Sequence, residues 1–188
     1  MKINQNTVLQ GKRVALVPYT SAHVPRYHEW MKSEELQRLT ASEPLSLEQE
    51  YEMQCSWRED ADKCTFIILD AEKWSSQKAT EEDCMVGDVN LFLTNSEDPT
   101  VGEIEIMIAG ITHLGLATFE AKIKLENETS IGMFKKIHFK EVGINSTFQE
   151  VTLKLIMDEQ EKRWLLEQTN GVIETKYIAM KLHHNCDS

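Results

Sequence analysis

Two glutamates lie on one face of a short alternating segment at residues 103–108. Glu103 and Glu105 share that face with Met107, and three isoleucines occupy the opposite face. Alternation of polar and apolar residues predicts a strand with one buried face. A carboxylate on the open face of such a strand can accept a proton as a general base. The alternative is an ordinary solvated strand face, and the pattern by itself leaves both interpretations open.

The cysteines and histidines do not form a metal-binding pattern. The four cysteines are far apart, at 55, 64, 84 and 186, and no two of them form a C-x-x-C pair. Structural zinc sites need such closely spaced ligands. Two adjacent histidines near Cys186 are the nearest approach to a cluster, and they stand at the end of the sequence. We therefore predict no metal site.

Composition and charge limit the class of protein and its partners. The sequence has 188 residues and a formal net charge of −11. This length is typical of one domain, and the negative charge disfavours broad nucleic-acid binding, which needs a basic surface. No apolar run approaches the ~18 residues of a membrane helix, and residues 1–7 lack the apolar part of a secretory signal. We expect a cytoplasmic protein without nucleic-acid or membrane partners.

Hydrophobic periodicity predicts the elements that must position the candidate residues. Ser46 followed by Gln49 is typical of a capping box that opens a helix, and Asn127 is a typical helix N-cap. Asp88 and Asn90 share the polar face of an alternating strand that forms an antiparallel hairpin with residues 103–108. The predicted strands are 13–17, 64–69, 85–93, 103–108, 117–123 and 148–156, and the predicted helices are 20–31, 46–57, 127–137 and one from 158. The fold class is α/β of α+β character, with a mixed, mostly antiparallel sheet flanked by helices.

The order of these elements and four local segments resemble the Gcn5-related N-acetyltransferase (GNAT) superfamily. The local sequence is similar to the ribosomal-protein alanine acetyltransferase branch of that superfamily. The segments are VALVP at 14–18, MVGDV at 85–89, GEIEIMI at 102–108, and Asn127-x-x-Ser130-x-x-Met133-Phe134. The resemblance extends to about residue 169. It implies one GNAT-like acetyltransferase domain over residues 1–169 and a C-terminal tail over residues 170–188.

The resemblance implies transfer of an acetyl group from acetyl-CoA to a protein amine. The family strips a proton from the amine, a role that would fall to Glu105 first and Glu103 second. Asn127 and Ser130 match positions that hold the pantetheine arm and the thiol end, although Asn127 could equally be a plain helix cap. The backbone of Met107, Ile108 and Ala109 would pair with the pantetheine amides. Similarity over residues 4–7, 27–40 and 60–66 implies an N-terminal amine as the acceptor, with tubulin as the candidate partner.

One part of the family pattern is absent from this sequence. The family places a pyrophosphate-binding turn after the fourth strand, with Arg or Gln, two residues, Gly, any residue, and Gly or Ala. Here the chain runs GITHLGL from Gly110 to Leu116 and enters the next strand. About twenty residues, namely the turn and the crossover helix behind it, are predicted to be missing, as after an internal deletion. We expect weak acetyl-CoA binding and an uncovered sheet near Ile104, Ile106 and Phe119.

Three hypotheses about function follow. The first is an N-terminal protein acetyltransferase whose activity is reduced in this form. The second is a catalytically impaired form that acts as a non-enzymatic, microtubule-related protein-binding module through its first two helices. The third is a product that does not fold stably. Binding of acetyl-CoA would separate the first hypothesis from the other two, because a ligand stabilises the folded state that binds it.

Overall fold

The computed structural model describes residues 1–40, 42–76, 79–93, 98, 100–104 and 117–177. Nine strands within these residues form one sheet. The strands are β1 (Thr7–Gln10), β2 (Val14–Pro18), β3 (Lys63–Asp70), β4 (Met85–Phe92), β5 (Val101–Ile104), β6 (Thr118–Lys124), β7 (Lys140–Asn145), β8 (Glu150–Ile156) and β9 (Ile173–Lys176).

The sheet is mixed and mostly antiparallel, as the sequence predicts. Its strand order is β7-β8-β6-β5-β4-β3-β2-β1-β9, and the β5–β6 pair is parallel, with Val101 opposite Thr118. The predicted hairpin is present, because β4 and β5 pair antiparallel with Phe92 opposite Glu103. A parallel pair of consecutive strands requires a crossover connection between them. The prediction of a missing crossover helix concerns residues 105–116, which lie outside the described part of the chain.

Seven α-helices and one 3₁₀ turn flank the described sheet. The 3₁₀ turn is Ser21–His23, and the helices are α1 (Val24–Met31), α2 (Glu34–Thr40), α3 (Leu47–Glu59), α4 (Ala71–Ser75), α5 (Glu81–Cys84), α6 (Glu128–Lys136) and α7 (Glu159–Gln168). Local side-chain bonds start the longer helices where the sequence predicts. Ser46 and Gln49 form the capping box of α3, and Asp158 accepts hydrogen bonds from the first turn of α7. These bonds satisfy amide groups that the helix itself leaves unpaired.

Each face of the sheet carries its own hydrophobic core. On one face Val17, Ile67 and Leu69 pack with aromatic side chains of α1 and α3. On the other face Phe119 and Leu153 pack with Phe134 of α6 and Leu165 of α7. Burial of a side chain of this size stabilises the fold by about 1.5–3 kcal/mol. The two cores hold the helices against the sheet and thereby fix the cleft described below.

The expectation of an uncovered sheet is wrong for two of its three residues. Ile104 is 1% exposed and Phe119 is 0% exposed. Both belong to the hydrophobic core that α6 and α7 help to form. Ile106 lies outside the described residues. The physical reason is that Phe134 of α6 and Leu165 of α7 belong to the same core, which the sequence-based expectation did not include as cover for this face.

Several elements escaped the sequence-based prediction. The short strands β1, β7 and β9 and the helix α2 lie in segments without clear periodicity, and two short helices occupy part of a stretch that looks like a polar loop. The strand β9 pairs with β1 from Thr7 opposite Lys176 to Gln10 opposite Ile173. Part of the predicted C-terminal tail is therefore an edge strand of the same sheet.

Candidate active site

A cleft of about 580 Å³ is lined by residues of the helices α1, α2 and α6 and of the strands β4, β5 and β6. Its lining combines an apolar wall, a polar floor and a helix N-terminus. The strand register places the floor residues on one sheet face, because Asp88, Asn90 and Phe92 alternate along β4 and Glu103 lies opposite Phe92. The cleft thus lies at the centre of the sheet.

The first wall of the cleft is apolar and aromatic. Tyr27, Trp30 and Met31 of α1 line it together with Leu36 and Leu39 of α2. The rings of Tyr27 and Trp30 lie 6.2 Å apart between centroids. Helical spacing of three to four residues brings these side chains onto one face of α1. The wall can therefore exclude water from one side of the cleft and receive an apolar group.

An ammonium group braces two aromatic rings at the edge of the cleft. Trp57 of α3 and Phe92 of β4 line the cleft, and the Lys63 ammonium lies 4.0 Å from the centroid of the first ring and 4.3 Å from that of the second. Lys63 and Phe92 are direct cross-strand partners. Attraction between a cation and an aromatic face holds the two rings in a fixed relation.

A hydrogen-bonded chain fixes the polar floor. The Thr65 hydroxyl donates to the Asn90 side-chain oxygen at 2.6 Å, and the Asn90 amide nitrogen donates to the Asp88 carboxylate at 2.9 Å. Asn90 is only 4% exposed. A buried amide with both ends bonded has one favourable orientation, so the carboxylate beside it is held in place.

Two of the residues predicted for the site lie together at the edge of the cleft. Asn127 and Ser130 line the cleft at the N-terminus of α6. The Asn127 side-chain oxygen accepts a hydrogen bond from the Ser130 backbone nitrogen at 3.1 Å, so Asn127 is a helix cap. The helix core residue Phe134 anchors α6 to the sheet and faces the same cleft. The cap therefore fixes both polar side chains at the cleft edge.

The lysines of the cleft are paired with carboxylates. Lys122 forms an ion pair with Glu103, and Lys124 forms one with Glu150 at 3.0 Å. Glu103, a predicted general base, is thus engaged by a lysine on the neighbouring strand. The other predicted site residues, Glu105, Met107, Ile108 and Ala109, lie outside the described residues.

A buried carboxyl group lies behind the apolar wall. Glu50 of α3 is 2% exposed, and the Nδ1 atom of His28 of α1 lies 3.9 Å from the Glu50 carboxylate. Burial raises the pKa of Glu50 above its ordinary value of 4.5, and His28 opposes this shift. One Glu50 oxygen has no hydrogen-bond partner in the part of the chain that the structure describes.

Neither metal ligation nor membrane insertion finds support in the part of the chain that is described. Within it, no three side chains of His, Cys, Asp or Glu approach closely enough to hold a metal ion. No helix of the described ranges is long and apolar enough to cross a membrane.

A family model described as an acetyltransferase (GNAT) domain matches residues 13–118, more than half of the chain. The match includes the apolar wall and the polar floor of the cleft. The chain belongs to the GNAT acetyltransferase family. Membership identifies this protein as an acetyltransferase and agrees with its mixed sheet.

Close relatives of this GNAT acetyltransferase span nearly its whole length. It is 64% identical over 199 residues to the alpha/beta-tubulin-N-acetyltransferase 9 of Homo sapiens, which covers 94% of this chain and 96% of the relative. It is 61% identical over 202 residues to the Mus musculus protein of the same name, covering 96% of this chain and 84% of the relative. Both alignments are longer than the 188 residues of this chain, so they contain gaps within it.

Solved structures of the GNAT fold match the same architecture. A spermidine N-acetyltransferase from Vibrio cholerae, in complex with CoA and spermine, superposes with a TM-score of 0.62 at 18% identity, covering 78% of this chain and 96% of that one. An acetyltransferase of the GNAT family from Bacillus anthracis gives a TM-score of 0.64 at 11% identity, covering 79% and 98%. At this identity the likeness concerns the fold alone.

Acetyl-CoA is the co-substrate that the GNAT family implies, and the described residues fit one end of it. The cleft has room for an acetyl group and a thioester beside Asn127 and Ser130. Among the described cleft residues, the only cations are Lys122 and Lys124, and each already has a carboxylate partner. The described lining therefore suits the acetyl end and provides no cation that is ready for the pyrophosphate.

The sequence-based reasoning missed the most strongly fixed part of this GNAT cleft. Asp88 and Asn90 share the polar face of a predicted central strand, which was a usable signal. Two polar residues on one face of a strand inside a sheet need either hydrogen-bond partners or a solvent-filled cleft. Tyr27 and Trp30 gave no comparable signal, because aromatic residues at helical spacing are also typical of a packed core.

Proposed function

We propose that this chain transfers an acetyl group from acetyl-CoA to the N-terminal amine of a protein, with tubulin as the candidate acceptor. The observation that carries the proposal is the similarity to the human and mouse tubulin N-acetyltransferases over nearly the whole chain. The cleft supports it, because it combines an apolar wall, a fixed carboxylate and the polar N-terminus of α6.

Acetyl-CoA supplies the acetyl group in activated form, as a thioester. Asn127 and Ser130 hold the pantetheine arm and the thiol end, and the backbone of Met107, Ile108 and Ala109 pairs with the pantetheine amides. Glu105 removes the proton from the amine, directly or through water. Glu103 is the second choice for this role, because it would first have to leave its ion pair with Lys122.

We infer in addition that this chain binds acetyl-CoA weakly, because it lacks the pyrophosphate turn. The lengths of the alignments support this inference. The human relative aligns over 199 positions with only 94% of the 188 residues, so about 22 positions are gaps in this chain. Summed over the whole alignment, these positions are about as many as the turn and its helix, estimated from the family pattern.

This same gap favours a second candidate function. A chain without the pyrophosphate turn can keep the surface formed by α1 and α2 and act as a protein-binding module related to microtubules. The apolar wall of these helices would then serve for recognition rather than for chemistry. The two functions differ in whether acetyl transfer accompanies binding.

The test compares this chain with a form in which the gap residues of the human relative are restored. Both are mixed with purified tubulin and acetyl-CoA, and mass spectrometry reads acetylation of the tubulin N-termini. Calorimetric titration measures acetyl-CoA affinity, which we expect to be at least about tenfold weaker in this chain, since each charge-assisted hydrogen bond contributes about 1.5–3 kcal/mol.

The outcomes separate the two functions. Transfer by the restored form alone, with tubulin bound by both, supports the binding-module function for this chain. Equal acetyl-CoA affinities contradict the loss of the pyrophosphate site. Absence of tubulin acetylation by the restored form rejects tubulin as the acceptor.

A further inference from the structure

Four polar side chains lie behind the apolar wall of the cleft, and we call them the buried polar cluster. They come from three parts of the fold: Tyr19 directly follows β2, His28 lies on α1, and Glu50 and Gln54 lie on α3. Tyr19 and Glu50 are 2% exposed and Gln54 is 1% exposed, while the side chain of His28 is 16% exposed. The cluster is therefore almost closed to the surrounding solvent.

Several contacts bring the members of the cluster together. Glu50 and Gln54 are four residues apart, so they lie on one face of α3. The Gln54 side-chain nitrogen donates to the Tyr19 carbonyl at 3.0 Å, and His28 Nδ1 lies 3.9 Å from the Glu50 carboxylate. Burial raises the pKa of Tyr19, and the neighbouring Tyr27 and Glu50 add to that increase. The Tyr19 side chain and the Glu50 carboxylate are thus close enough to interact.

One polar atom of each cluster member has no hydrogen-bond partner in the described part of the chain. These atoms are the Tyr19 hydroxyl, His28 Nδ1, Glu50 Oε2 and Gln54 Oε1. None of the four therefore bonds directly to another. Buried polar groups are nearly always hydrogen-bonded, because an unpaired one costs free energy when it leaves water. Four such atoms in one cluster indicate a ligand of matching chemistry.

The four atoms specify a small ligand that both donates and accepts hydrogen bonds. Gln54 Oε1 can only accept, and the Glu50 carboxylate also only accepts when it is ionised, whereas the Tyr19 hydroxyl can donate. Water meets all three requirements, and a buried water typically makes about three hydrogen bonds to groups of this kind. A bridging water is also expected where two polar groups stand more than roughly 3.5 Å apart, as His28 and Glu50 do.

We propose that the buried polar cluster binds at least one internal water molecule. The water donates to Glu50 and Gln54 and accepts from the Tyr19 hydroxyl, so it joins α3 to the end of β2. A bond to His28 Nδ1 adds α1 to the same site. The site forms whether or not the chain transfers acetyl groups, so it is independent of the proposed function.

The internal water supports the apolar wall from behind. His28 follows Tyr27 directly on α1, and Tyr27 lines the cleft. The centroid of the Tyr19 ring lies 5.2 Å from that of the Tyr27 ring. The position of the wall therefore depends on a hydrated polar layer as well as on apolar packing.

The direct test is a crystal structure of the unmodified chain at a resolution that shows ordered water. We expect density for a water within about 2.5–3.2 Å of Glu50 Oε2 and of at least one other unpaired atom of the cluster. This measurement needs no variant, so it decides the proposal even where a substitution prevents folding.

A double-mutant cycle tests the shared water in solution. Tyr19→Phe and Glu50→Gln are made singly and together, and chemical denaturation at pH 7 gives the equilibrium constant of unfolding. Side chains that share a ligand are coupled, so the effect of the double variant should differ from the product of the single effects by at least about twofold. The matched control combines Glu50→Gln with Tyr177→Phe, whose hydroxyl donates to Glu81 at 2.9 Å instead. The effects of the control pair should multiply.

Three results would overturn the proposal. The first is a crystal structure in which the four atoms bond to protein groups and no water lies among them. The second is density that refines as a cation rather than as water. The third is a coupling between Tyr19 and Glu50 no larger than that of the control pair.

Discussion

The two halves of one sheet face differ in what covers them. In the covered half, Ala15, Val17, Ile67 and Leu69 of β2 and β3 are fully or almost fully buried under α1 and α3. In the charged half, β6 and β8 carry cross-strand ion pairs, including Glu120 with Lys154 at 2.6 Å. The register connects the halves across β4 and β5, so both belong to one continuous face.

The difference shows where chemistry can be placed on this sheet. Burial stabilises the covered half, while each exposed ion pair of the charged half contributes about 0–1 kcal/mol. The cleft lies at the boundary between them, where Asp88 has an apolar wall on one side and lysines on the other. A polar group can be both fixed and accessible only at such a boundary.

The largest effect should come from removing a buried side chain in the covered half. Ile67→Ala should lower the free energy of unfolding by about 2–5 kcal/mol, because Ile67 is fully buried and its loss leaves a cavity. The matched control is Ile156→Ala on the same sheet face, where the isoleucine is 64% exposed. We expect the control to change stability by less than about 0.5 kcal/mol. Chemical denaturation measures the free energy of unfolding of both variants. Equal losses of stability would contradict the difference in burial between the two halves.

An intermediate effect should come from the buried carboxyl group of Glu50. Burial raises its pKa in the folded protein, so the folded state holds this proton more tightly than the unfolded state. Its contribution to stability is therefore intact below about pH 4.5 and falls as the pH rises towards the raised pKa. At a pH above the raised pKa, each unit by which the pKa is increased lowers the free energy of unfolding by about 1.4 kcal/mol.

Glu50→Gln should remove this pH dependence. The variant should therefore melt at a higher temperature than the unmodified chain at pH 8, and the difference between the two should be smaller at pH 4. Thermal melts between pH 4 and pH 8 make the comparison. Glu120→Gln is the control, because Glu120 is partly exposed in the charged half. A Glu50 variant with the same pH profile as the unmodified chain would show that His28 compensates for the burial.

The smallest effect should come from the ion pairs of the charged half. A double-mutant cycle on Glu120 and Lys154 should give a coupling of about 0.2–1 kcal/mol. Salt screens exposed charges, so the coupling should shrink between 0.05 M and 1 M NaCl. A coupling above about 2 kcal/mol that resists salt would mean that this half is stabilised by its charges.

The sequence predicted some elements of the structure correctly and missed others. The helix that Ser46 and Gln49 open, the cap at Asn127 and the antiparallel hairpin of β4 and β5 were all predicted, because each depends on residues close together in the sequence. The family was predicted from short segments and is confirmed by the family match. The roles of the individual site residues stay predictions.

The amino-acid sequence by itself determined the local structure and the family. Side-chain spacing and capping act within a few residues, so they can be read from the chain. The tertiary structure alone decided that β9 completes the edge beside β1, that α6 and α7 help to bury Ile104 and Phe119, and that Asp88 stands below Tyr27 and Trp30. These contacts join residues that are far apart in the sequence, and their free energies exist only once the whole sheet has formed.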